Sequence, residues 1–488
     1  MIRVRSFAVL ALVMPFSVTG TAQGQSMPDE TPCRLLQESL PAAFGQCARL
    51  RVPEDYSEPE SGHLELFFAR IPARTANPAP DPVLLINGGP GGSAVDLYLQ
   101  ARVAFEPLLR ERDILLLDQR GTGRSLLGLD CELPEDFELV TATPGEIRQT
   151  VESCVAEFEH DPRQFTTSVA IRDLETLRQT LGIAEWNIYG VSYGTRVAQH
   201  YLRRHGDRVR SAILDGIVPA ELALGPAIAT DAQDALDAIF ARCAETPDCA
   251  NRFSDIRERF AELRRRFSGQ SVEVVLNDPV TGEPKSIELD ETHLQGVVRF
   301  MSYSDATVAL LPLIIEAAHD GNYLPLAAQA ELQIQAVADS IGFAMHNSVV
   351  CTEDAPWFPA ERSPDAALLY LGTAVVDGLE AICESWPAGV LDDDFKEPVV
   401  SDRPVLLLSG EHDPVTPPAN ADQVIASGLS NSRHLVGHAK GHGLASVGCV
   451  PRLMHDFIES ADAAAIDPAC LHEAPPMPFF VSFQGPSP

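Results

Sequence analysis

The sequence predicts an α/β fold, in which a mostly parallel sheet with crossover helices is interrupted by a large, mainly helical insertion. Three observations lead to this prediction. From residue 82 to residue 215, short apolar runs alternate with helix-compatible segments, as they do where parallel strands are joined by crossover helices. Over residues 220–395 this alternation stops and the segments are mostly helical in pattern. At residues 404–409 the pattern of a buried strand returns.

Each element of the first part is assigned from its local pattern, in chain order. Residues 23–45 are rich in Pro and polar side chains, so we expect them to be loosely structured. Two strand-like segments follow, separated by a turn-rich stretch, at 49–52 and 64–71. In the alternating region we predict strands at 82–87, 113–118, 186–190 and 209–215, and helices at 95–110, 168–181 and 193–204.

The second part begins with the insertion and ends with a return to the sheet. Within the insertion we predict one hairpin, at 272–289, around a Thr-Gly turn. After the strand at 404–409 we predict a helix at 419–427, a strand at 433–436 and a helix at 451–459. The predicted organisation is a signal peptide (1–22), a core (46–219), a helical cap (220–395), the rest of the core (396–473) and an extended Pro-rich tail (474–488).

The composition excludes several classes of partner. The 488 residues are 45% hydrophobic and 22% charged, as in a globular chain and unlike a disordered one. The 36 Lys and Arg against 69 Asp and Glu give a formal net charge of −33. Because binding to nucleic acid needs a basic surface, and anionic lipids repel an acidic one, we expect neither as a partner.

The N-terminus has the pattern of a secretory signal. Arg3 and Arg5 precede an apolar run over residues 7–16, and small residues follow, with cleavage expected after Ala22 or Gly24. The run is too short to span a bilayer, and an N-terminal membrane anchor is the alternative interpretation. We therefore expect a periplasmic or extracellular protein that is not membrane-bound after cleavage of the signal.

The ten cysteines fall in neighbouring couples along the chain. An oxidising compartment favours disulfides, and although sequence alone cannot fix their connectivity, pairing of neighbours is the simplest prediction. No CxxC pair and no Cys/His cluster has zinc-finger spacing, so we predict no metal site. The predicted bridges are Cys33–Cys47, Cys131–Cys154, Cys243–Cys249, Cys351–Cys383 and Cys449–Cys470.

The segment GVSYG, residues 190–194, has the pattern G-x-S-x-G between a predicted strand and a predicted helix. This turn holds the serine in a strained backbone conformation and exposes its hydroxyl at the end of the sheet, while side chains at 190 and 194 would clash with neighbouring elements. The motif alone is weak because Gly and Ser are common residues. Its strand-turn-helix context makes Ser192 the candidate nucleophile.

A glycine-rich segment, NGGPGG at residues 87–92, follows the first predicted buried strand. It matches neither a phosphate-binding P-loop nor a dinucleotide fingerprint. Acyl transfer builds negative charge on a carbonyl oxygen, which backbone N–H groups stabilise. We therefore predict an oxyanion hole formed by the N–H of Tyr193 and that of Gly88 or Gly89, with a purely structural turn as the alternative.

Asp413 and His442 complete a candidate catalytic triad. Asp413 follows the returning strand, and His442 lies between two glycines after the next strand. The chain order Ser, Asp, His is that of α/β hydrolases, in which His442 would take the proton of Ser192 and Asp413 would hold the other ring nitrogen. The competing bases are His412, His434 and His438, and the competing acid is Asp215.

The motifs together resemble those of the α/β-hydrolase peptidases, the group of proline iminopeptidases and secreted tripeptidyl aminopeptidases. The resemblance implies an α/β-hydrolase fold with Ser192, Asp413 and His442 as its triad. Asn87 stands where iminopeptidases usually have His, which favours the secreted branch, and the segment with Cys449 and Cys470 resembles that branch's TAP-like C-terminal region. The segments that carry this resemblance are NGGPGGS (87–93), DQRGTGRS (118–125), GVSYGTR (190–196), LDGIVP (214–219), GEHDPVTP (410–417) and GHG (441–443).

The resemblance implies a serine exopeptidase that releases residues or short peptides from the N-terminus of peptide substrates, without a metal or organic cofactor. Such an enzyme must recognise a free ammonium, and carboxylates in the insertion could bind it through charge-assisted hydrogen bonds. Glu353 and Asp354 are the candidates, and a solvated acidic loop is the alternative. A carboxylesterase or lipase with the same triad, and an inactive hydrolase-like binding protein, are the other functions considered.

Overall fold

The computed structural model describes residues 28–37, 40–60, 62–125, 129, 142–277, 282–361, 364–473 and 475–485, without the side chains of 334–339. The predicted signal peptide over residues 1–22 lies outside these ranges. Within them, no helix is both long enough and apolar enough to cross a membrane.

A nine-stranded sheet and a separate two-stranded sheet contain the strands of the described chain. The large sheet has the order β1-β2-β3-β5-β4-β6-β7-β10-β11, and β8 pairs with β9. The strands are β1 (Thr31–Leu35), β2 (Ala43–Pro53), β3 (His63–Ile71), β4 (Val83–Ile86), β5 (Ile114–Leu117), β6 (Trp186–Val191), β7 (Val209–Asp215), β8 (Val272–Asn277), β9 (Pro284–Leu289), β10 (Val405–Gly410) and β11 (Ser432–Gly437).

From β5 to β11 the large sheet is parallel, whereas β1, β2 and β3 pair antiparallel at one side. Every residue of β4, β5 and β10 is buried. These strands are continuous apolar runs because helices cover both faces of a parallel sheet, which leaves no polar side to alternate with. The fold class is thus the predicted one, a mostly parallel sheet with crossover helices and a large, mainly helical insertion.

The helices divide between the two faces of the sheet and the insertion. They are α1 (Ala94–Gln100), α2 (Arg102–Phe105), α3 (Pro144–Glu157), α4 (Thr167–Thr180), α5 (Tyr193–His205), α6 (Ile228–Glu245), α7 (Pro247–Arg252), α8 (Ile256–Phe267), α9 (Glu291–Met301), α10 (Asp305–Val308), α11 (Leu311–His319), α12 (Leu324–Ser340), α13 (Phe343–Val349), α14 (Ala374–Cys383), α15 (Pro418–Ser427), α16 (Val450–Ser460) and α17 (Ala469–His472). One apolar core packs α1, α2 and α16 on the sheet, and another packs α3, α4, α5 and α15 on its opposite face.

The segment between β7 and β10, which we call the cap, contains helices α6 to α14 and the β8–β9 hairpin. Its buried side chains form a core of their own, in which α6, α8, α9 and α11 contribute Leu236, Phe260, Val297 and Ile314. The hairpin predicted at 272–289 is confirmed by the antiparallel pairing of β8 with β9. Helices α13 and α14 of the cap also pack into the core on one face of the sheet, so the cap and the sheet share part of their buried surface.

Two features of the N-terminal half differ from the prediction. Residues 23–45 were expected to be loosely structured, but β1 and the beginning of β2 lie there and pair antiparallel. The reason is tertiary, because the Cys33–Cys47 disulfide fastens β1 to the sheet edge and Leu35 is buried against it. Helix α3 is a second element that the sequence pattern did not predict, and it begins at a capping box of Thr143 and Glu146.

Four of the predicted disulfides are confirmed, and Cys131 of the remaining pair lies outside the described residues. Each bridge joins neighbours along the chain, with separations of 6 to 32 residues. Such bridges restrict mainly the unfolded chain, which stabilises the folded one. The confirmed bridges are Cys33–Cys47, Cys243–Cys249, Cys351–Cys383 and Cys449–Cys470.

Candidate active site

Ser192 occupies the turn between β6 and α5, with φ 54° and ψ −127°. This is a strained conformation for a residue other than glycine, and it is maintained by tight packing around the turn. A Cβ added at Gly190 would lie 2.5 Å from the carbonyl oxygen of Gly194, and one added at Gly194 would lie 2.5 Å from that of Ile86. The two glycines of the motif are therefore required by the close approach of three backbone segments.

Asp413 and His442 lie together on the loops that follow β10 and β11. His442 Nδ1 donates to Asp413 Oδ2 at 2.8 Å. Asp413 also accepts from the N–H groups of Val415 and Thr416, both at 2.9 Å, and from Thr416 Oγ1 at 2.7 Å. Four donors thus hold this carboxylate in one orientation, and the histidine proton is fixed on Nδ1, leaving Nε2 as the acceptor.

The competing residues have other roles in the described structure. Asp215 is fully buried and accepts from Tyr189 Oη at 2.8 Å and from the N–H groups of Leu444 and Ala445 at 2.8–3.0 Å. It therefore holds the backbone just after His442 instead of the imidazole. The alternative bases, which lie off the cavity wall and beside carboxylates of the surface, are His412, His434 and His438.

The surroundings of His442 favour its protonated form. Burial by itself would lower the pKa of His442, but the charge of Asp413 and the hydrogen bond to it outweigh burial and raise the pKa above its usual value. The more distant carboxylate of Asp215 acts in the same direction, and the Arg299 guanidinium opposes it. A histidine that becomes more basic in the presence of a fixed carboxylate can accept a proton from a hydroxyl and keep it during a reaction.

The predicted oxyanion loop lies directly beside Ser192. A Cβ on Gly88 would come within 2.7 Å of Ser192 Cβ, so no larger residue fits there. The N–H of Gly88 is occupied, because it donates to Asn87 Oδ1 at 2.7 Å. The N–H groups of Gly89 and Tyr193 donate to no acceptor in the described part of the chain. Of the three predicted donors, the geometry therefore favours Gly89 and Tyr193, and it gives Gly88 a steric role.

Ser192 and His442 line one cavity of about 590 Å³ between the sheet and the cap. Neither Ser192 Oγ nor His442 Nε2 has a hydrogen-bond partner among the residues that the structure describes. Tyr303 of the cap packs edge-on against His442, with ring centroids 5.3 Å apart, and its carbonyl oxygen accepts from the His442 N–H at 2.8 Å. The cap thus fixes the position of His442 as well as covering the cavity.

The wall of this cavity is mostly apolar. Aliphatic and aromatic side chains from the cap supply most of it, among them Ile228, Phe300, Ile341, Val350 and Leu379. A cavity of this size with a few polar groups is typical of a site for a small ligand or a short chain segment. The arrangement can bring an apolar carbonyl compound to an activated serine and exclude bulk water.

Glu353 and Asp354 do not lie on the cavity wall, so the expectation that they bind substrate is corrected. Both are fully buried. Glu353 accepts from the N–H and the hydroxyl of Thr167 at 2.7 and 2.8 Å. Asp354 accepts from Arg196 at 3.0 Å, from the N–H of Leu224 at 2.9 Å and from Lys396 at 3.4 Å. Their oxygens are occupied, and the contacts join the cap to the core.

This buried cluster has perturbed ionisation. Burial raises the pKa of Glu353 to about 7, with Asp354 acting in the same direction and Arg196 opposing it. Burial, with the charge of Arg196, lowers the pKa of Lys396 to about 8. Acidic neighbours in the sequence pattern indicated a binding site, but the pattern could not reveal that basic residues of α5 and of the segment after α14 neutralise them.

Two charged residues of the cavity wall were not predicted from the sequence. Asp231 on α6 and Arg299 on α9 both line the cavity with Ser192 and His442. The helical pattern could have placed each on a cap helix, but only the packing of those helices over the sheet reveals that they face the serine. Among the described residues, no group of three or more His, Cys, Asp or Glu side chains could hold a metal ion.

Comparisons with known protein families agree with the fold. Residues 81–300 match the family model described as alpha/beta hydrolase fold, and residues 368–470 match the model described as TAP-like protein. The second match begins inside the predicted cap, before α14, and extends through Cys470. These matches bear out the resemblance on which the sequence interpretation was based.

Three curated relatives cover different shares of the chain. Serine protease Hip1 of Mycobacterium tuberculosis is 26% identical over 442 residues, which span 79% of this chain and 80% of that protein. Carboxylesterase B of the same organism is 30% identical over 225 residues, 42% of each chain. Tripeptidyl aminopeptidase of Streptomyces coelicolor is 30% identical over 192 residues, 36% of this chain and 35% of that protein.

Proposed function

We propose that this protein releases residues or short peptides from the N-terminus of peptides. The proposal starts from the premise that the chain is a serine hydrolase of the α/β-hydrolase family with a TAP-like C-terminal region. Ser192 would be the nucleophile, His442 the base and Asp413 the residue that orients the base. The observation that carries the proposal is the strained Ser192 in one cavity with a His442–Asp413 pair whose hydrogen bond is 2.8 Å long.

In the first half of the reaction, Ser192 Oγ attacks the carbonyl carbon of the scissile bond while His442 Nε2 takes the hydroxyl proton. The carbonyl oxygen becomes negative and accepts from the N–H groups of Gly89 and Tyr193. The tetrahedral intermediate then collapses, the bond to the leaving amine breaks, and His442 gives its proton to that amine. The N-terminal part of the substrate remains as an ester of Ser192.

In the second half, a water molecule attacks the ester carbonyl and His442 takes one of its protons. The same two N–H groups donate to the second oxyanion, and Ser192 leaves with the proton that His442 returns. Asp413 keeps its hydrogen bond to Nδ1 throughout and stabilises the imidazolium that forms twice in each cycle. One water molecule is consumed: its hydroxyl group ends in the released acid and its other proton restores the Ser192 hydroxyl, so atoms and charge balance.

Two kinds of support favour a peptidase that acts at chain ends. The cap covers the cavity and leaves about 590 Å³, which accommodates a few residues and no folded chain. Two of the relatives are named as a serine protease and as a tripeptidyl aminopeptidase. A secreted or periplasmic location belongs to the same proposal, and it is supported by four disulfides of the described chain, since these persist in oxidising compartments.

A carboxylesterase is the second candidate function. The mostly apolar cavity wall would suit an acyl chain, and Carboxylesterase B shares 30% identity over the 225 residues that it matches. The two functions use the same triad and differ in what the cap recognises. A peptidase of chain ends needs a charged partner for the substrate terminus, whereas an esterase of neutral acyl chains does not.

Matched substrates separate these functions. The wild-type protein and the Ser192→Ala variant would be assayed on a panel of peptide p-nitroanilides with free N-termini, on the same peptides N-acetylated, and on p-nitrophenyl butyrate. We expect hydrolysis of free-amine peptides that disappears in the variant, and much slower hydrolysis of the acetylated set. Hydrolysis of the ester alone would assign the esterase function, and failure of a folded protein to react with a fluorophosphonate would indicate an inactive hydrolase-like protein.

A further inference from the structure

Apart from histidines, the described part of the cavity wall has two charged side chains, and both come from the cap. Asp231 lies on the first helix of the cap and Arg299 on the fourth, and the remaining wall is apolar apart from backbone, small polar groups and two histidines. Charges are costly to hold beside apolar surface unless something pairs with them. Their presence in a cavity with Ser192 and His442 therefore needs an explanation.

Among the described residues, the carboxylate of Asp231 has no partner. No hydrogen bond or ion pair joins its oxygens to another side chain in the described structure, and the hydrogen bond of Arg299 goes to Tyr303 instead. The charges that act on it are those of Asp234 on the same helix, Asp413 after β10 and Arg299 on α9. Burial, with the two carboxylates, raises the pKa of Asp231 to about 6, and Arg299 opposes this.

Arg299 is also incompletely paired. Its Nη2 donates to Tyr303 Oη at 3.4 Å, and its guanidinium lies 5.9 Å from the centre of that ring. Its Nη1 is buried and has no acceptor among the described residues. Buried donors of folded proteins are nearly always paired, so this group is poised to donate to a ligand. Through Tyr303, which packs on His442, it is connected to the candidate triad.

The other acids of the cap contrast with Asp231. The carboxylate oxygens of Glu353 and Asp354 accept hydrogen bonds from Thr167, Arg196 and the backbone. Neither residue lines the cavity. Asp234 lies one turn along the same helix as Asp231 but is exposed and off the cavity wall. The carboxylate that a ligand in this cavity can reach is therefore that of Asp231.

We propose that Asp231 binds the free ammonium of the substrate N-terminus and that Arg299 Nη1 donates to a backbone carbonyl oxygen of the same peptide. This inference rests on the proposed peptidase function and names the residues that select its substrates. A peptide terminus presents a cation and carbonyl oxygens close together, which matches one anion and one unfilled donor. Charge-assisted hydrogen bonds of this kind are strong and directional in a partly desolvated site.

The pair also explains how the same triad would be restricted to chain ends. An N-acetylated peptide would leave the Asp231 carboxylate without a partner inside the cavity, and an internal peptide bond would do the same. Leaving a buried charge unpaired is more costly than losing a single neutral contact. Selection would thus come from the penalty for the wrong substrate as well as from attraction to the right one.

The test is a specificity ratio, kcat/KM for a free-amine peptide anilide divided by kcat/KM for p-nitrophenyl butyrate, measured at pH 7.5. For Asp231→Asn we expect this ratio to fall roughly 10- to 100-fold through a higher KM, because a charge-assisted bond is lost. The matched control is Asp234→Asn, for which the ratio should stay within about twofold, as expected for an exposed charge. For Arg299→Gln we expect lower kcat/KM on both free and acetylated peptides.

The pH dependence provides a readout that a merely structural role would not produce. In the wild-type protein the ratio should rise as pH passes about 6, where Asp231 ionises, and fall as pH passes about 8, where peptide amines lose their charge. The ester serves as the divisor, so titration of His442 cancels. In Asp231→Asn, the rise of the peptide-to-ester ratio near pH 6 should be absent.

The outcomes are distinguishable. An unchanged ratio and an unchanged pH profile in a folded Asp231→Asn protein would overturn the proposal while leaving the peptidase function intact. If the wild-type protein cleaves only the ester, the peptidase function itself fails and this inference fails with it. Should Asp231→Asn not fold, Asp231→Ser replaces it, and fluorophosphonate labelling of Ser192 verifies that either variant retains its triad.

Discussion

Replacing Asp413 by Asn removes the group that orients the proposed base, and the structure gives the consequence in detail. Oδ1 accepts two backbone N–H groups at 2.9 Å, whereas Oδ2 accepts His442 Nδ1–H at 2.8 Å and the Thr416 hydroxyl at 2.7 Å. The amide oxygen can keep the backbone bonds, which leaves the NH₂ group facing two donors. To avoid this clash, His442 would carry its proton on Nε2, where it cannot accept the proton of Ser192.

The expected loss is large because the wrong tautomer blocks the first step. A substitution of this kind in a Ser-His-Asp triad lowers kcat by about 10⁴-fold, and we expect a loss of about 10³- to 10⁴-fold here. The assays are kcat for p-nitrophenyl butyrate and the second-order rate constant for fluorophosphonate labelling, which reports Ser192 directly. Both should fall together, while circular dichroism and the melting temperature change little.

The pH dependence of kcat/KM provides an independent test of the role of Asp413. The base must be neutral to accept a proton, so kcat/KM rises as pH passes the pKa of His442. In the wild-type protein Asp413 raises that pKa by charge and by hydrogen bond, against the lowering effect of burial. Without Asp413 the effect of burial prevails, so the rising limb of the residual activity should move to lower pH.

Asp215 provides the matched comparison, since it was the competing acid in the sequence. It holds the N–H groups of Leu444 and Ala445 and makes no hydrogen bond to the imidazole. Asp215→Asn should therefore lower the melting temperature and move the pH limb to lower pH by less than Asp413→Asn does, because only its more distant charge acts on His442. The reasoning is refuted if Asp413→Asn retains more than a tenth of the wild-type labelling rate, or if Asp215→Asn moves the pH limb further than Asp413→Asn does.

Three further predictions concern the packing around the site. Gly441→Ala should lower both activity and the melting temperature, because a Cβ there would lie 2.4 Å from the carbonyl oxygen of Tyr303 in the cap. Replacing Cys351 and Cys383 by Ser removes a bridge across 32 residues, and the free energy of unfolding in urea should fall by about 4 kcal/mol. Glu353→Gln should leave the ratio of peptide to ester hydrolysis unchanged, and its melting temperature should decline less than that of the wild-type protein between pH 5 and pH 8.

The sign of the Glu353 effect follows from its ionisation. Burial raises the pKa of Glu353 to about 7 in the folded state, well above the value near 4.5 of an unfolded chain. Between these values the folded state binds more protons, so its stability falls as pH rises. An equal pH dependence in wild type and Glu353→Gln would contradict the burial of a protonatable carboxyl group. A selective rise in KM for free-amine peptides in this variant would instead restore it as a substrate-binding residue.

The sequence predicted the parts of the site that depend on local geometry. The turn at Ser192 requires its flanking glycines because of contacts within a strand-turn-helix unit, and such a requirement is visible in five residues. The order of β10, Asp413, β11 and His442 is equally local, since each residue follows the carboxyl end of a parallel strand. The structure brings these loops together because neighbouring parallel strands end at the same edge.

The parts that the sequence did not predict depend on packing between distant segments. Glu353 was predicted to bind substrate because it is one of two adjacent acids in the insertion, whereas in the structure Thr167 of α4 donates to both of its oxygens and Arg196 of α5 lies 3.8 Å from it. Asp231 and Arg299 belong to none of the motifs found in the sequence. Only the position of the cap over the sheet turns them toward Ser192, and no local pattern encodes that position.

The most direct test of the proposed function is the pattern of cleavage in a peptide mixture followed by mass spectrometry. A defined pool of short peptides would be incubated with wild-type protein and with Ser192→Ala, once with free N-termini and once after N-acetylation. The account predicts products shortened from the N-terminus in the free pool, none in the acetylated pool and none with the variant. Internal cleavage of acetylated peptides, or intact peptides from a protein that still hydrolyses p-nitrophenyl butyrate, would contradict it.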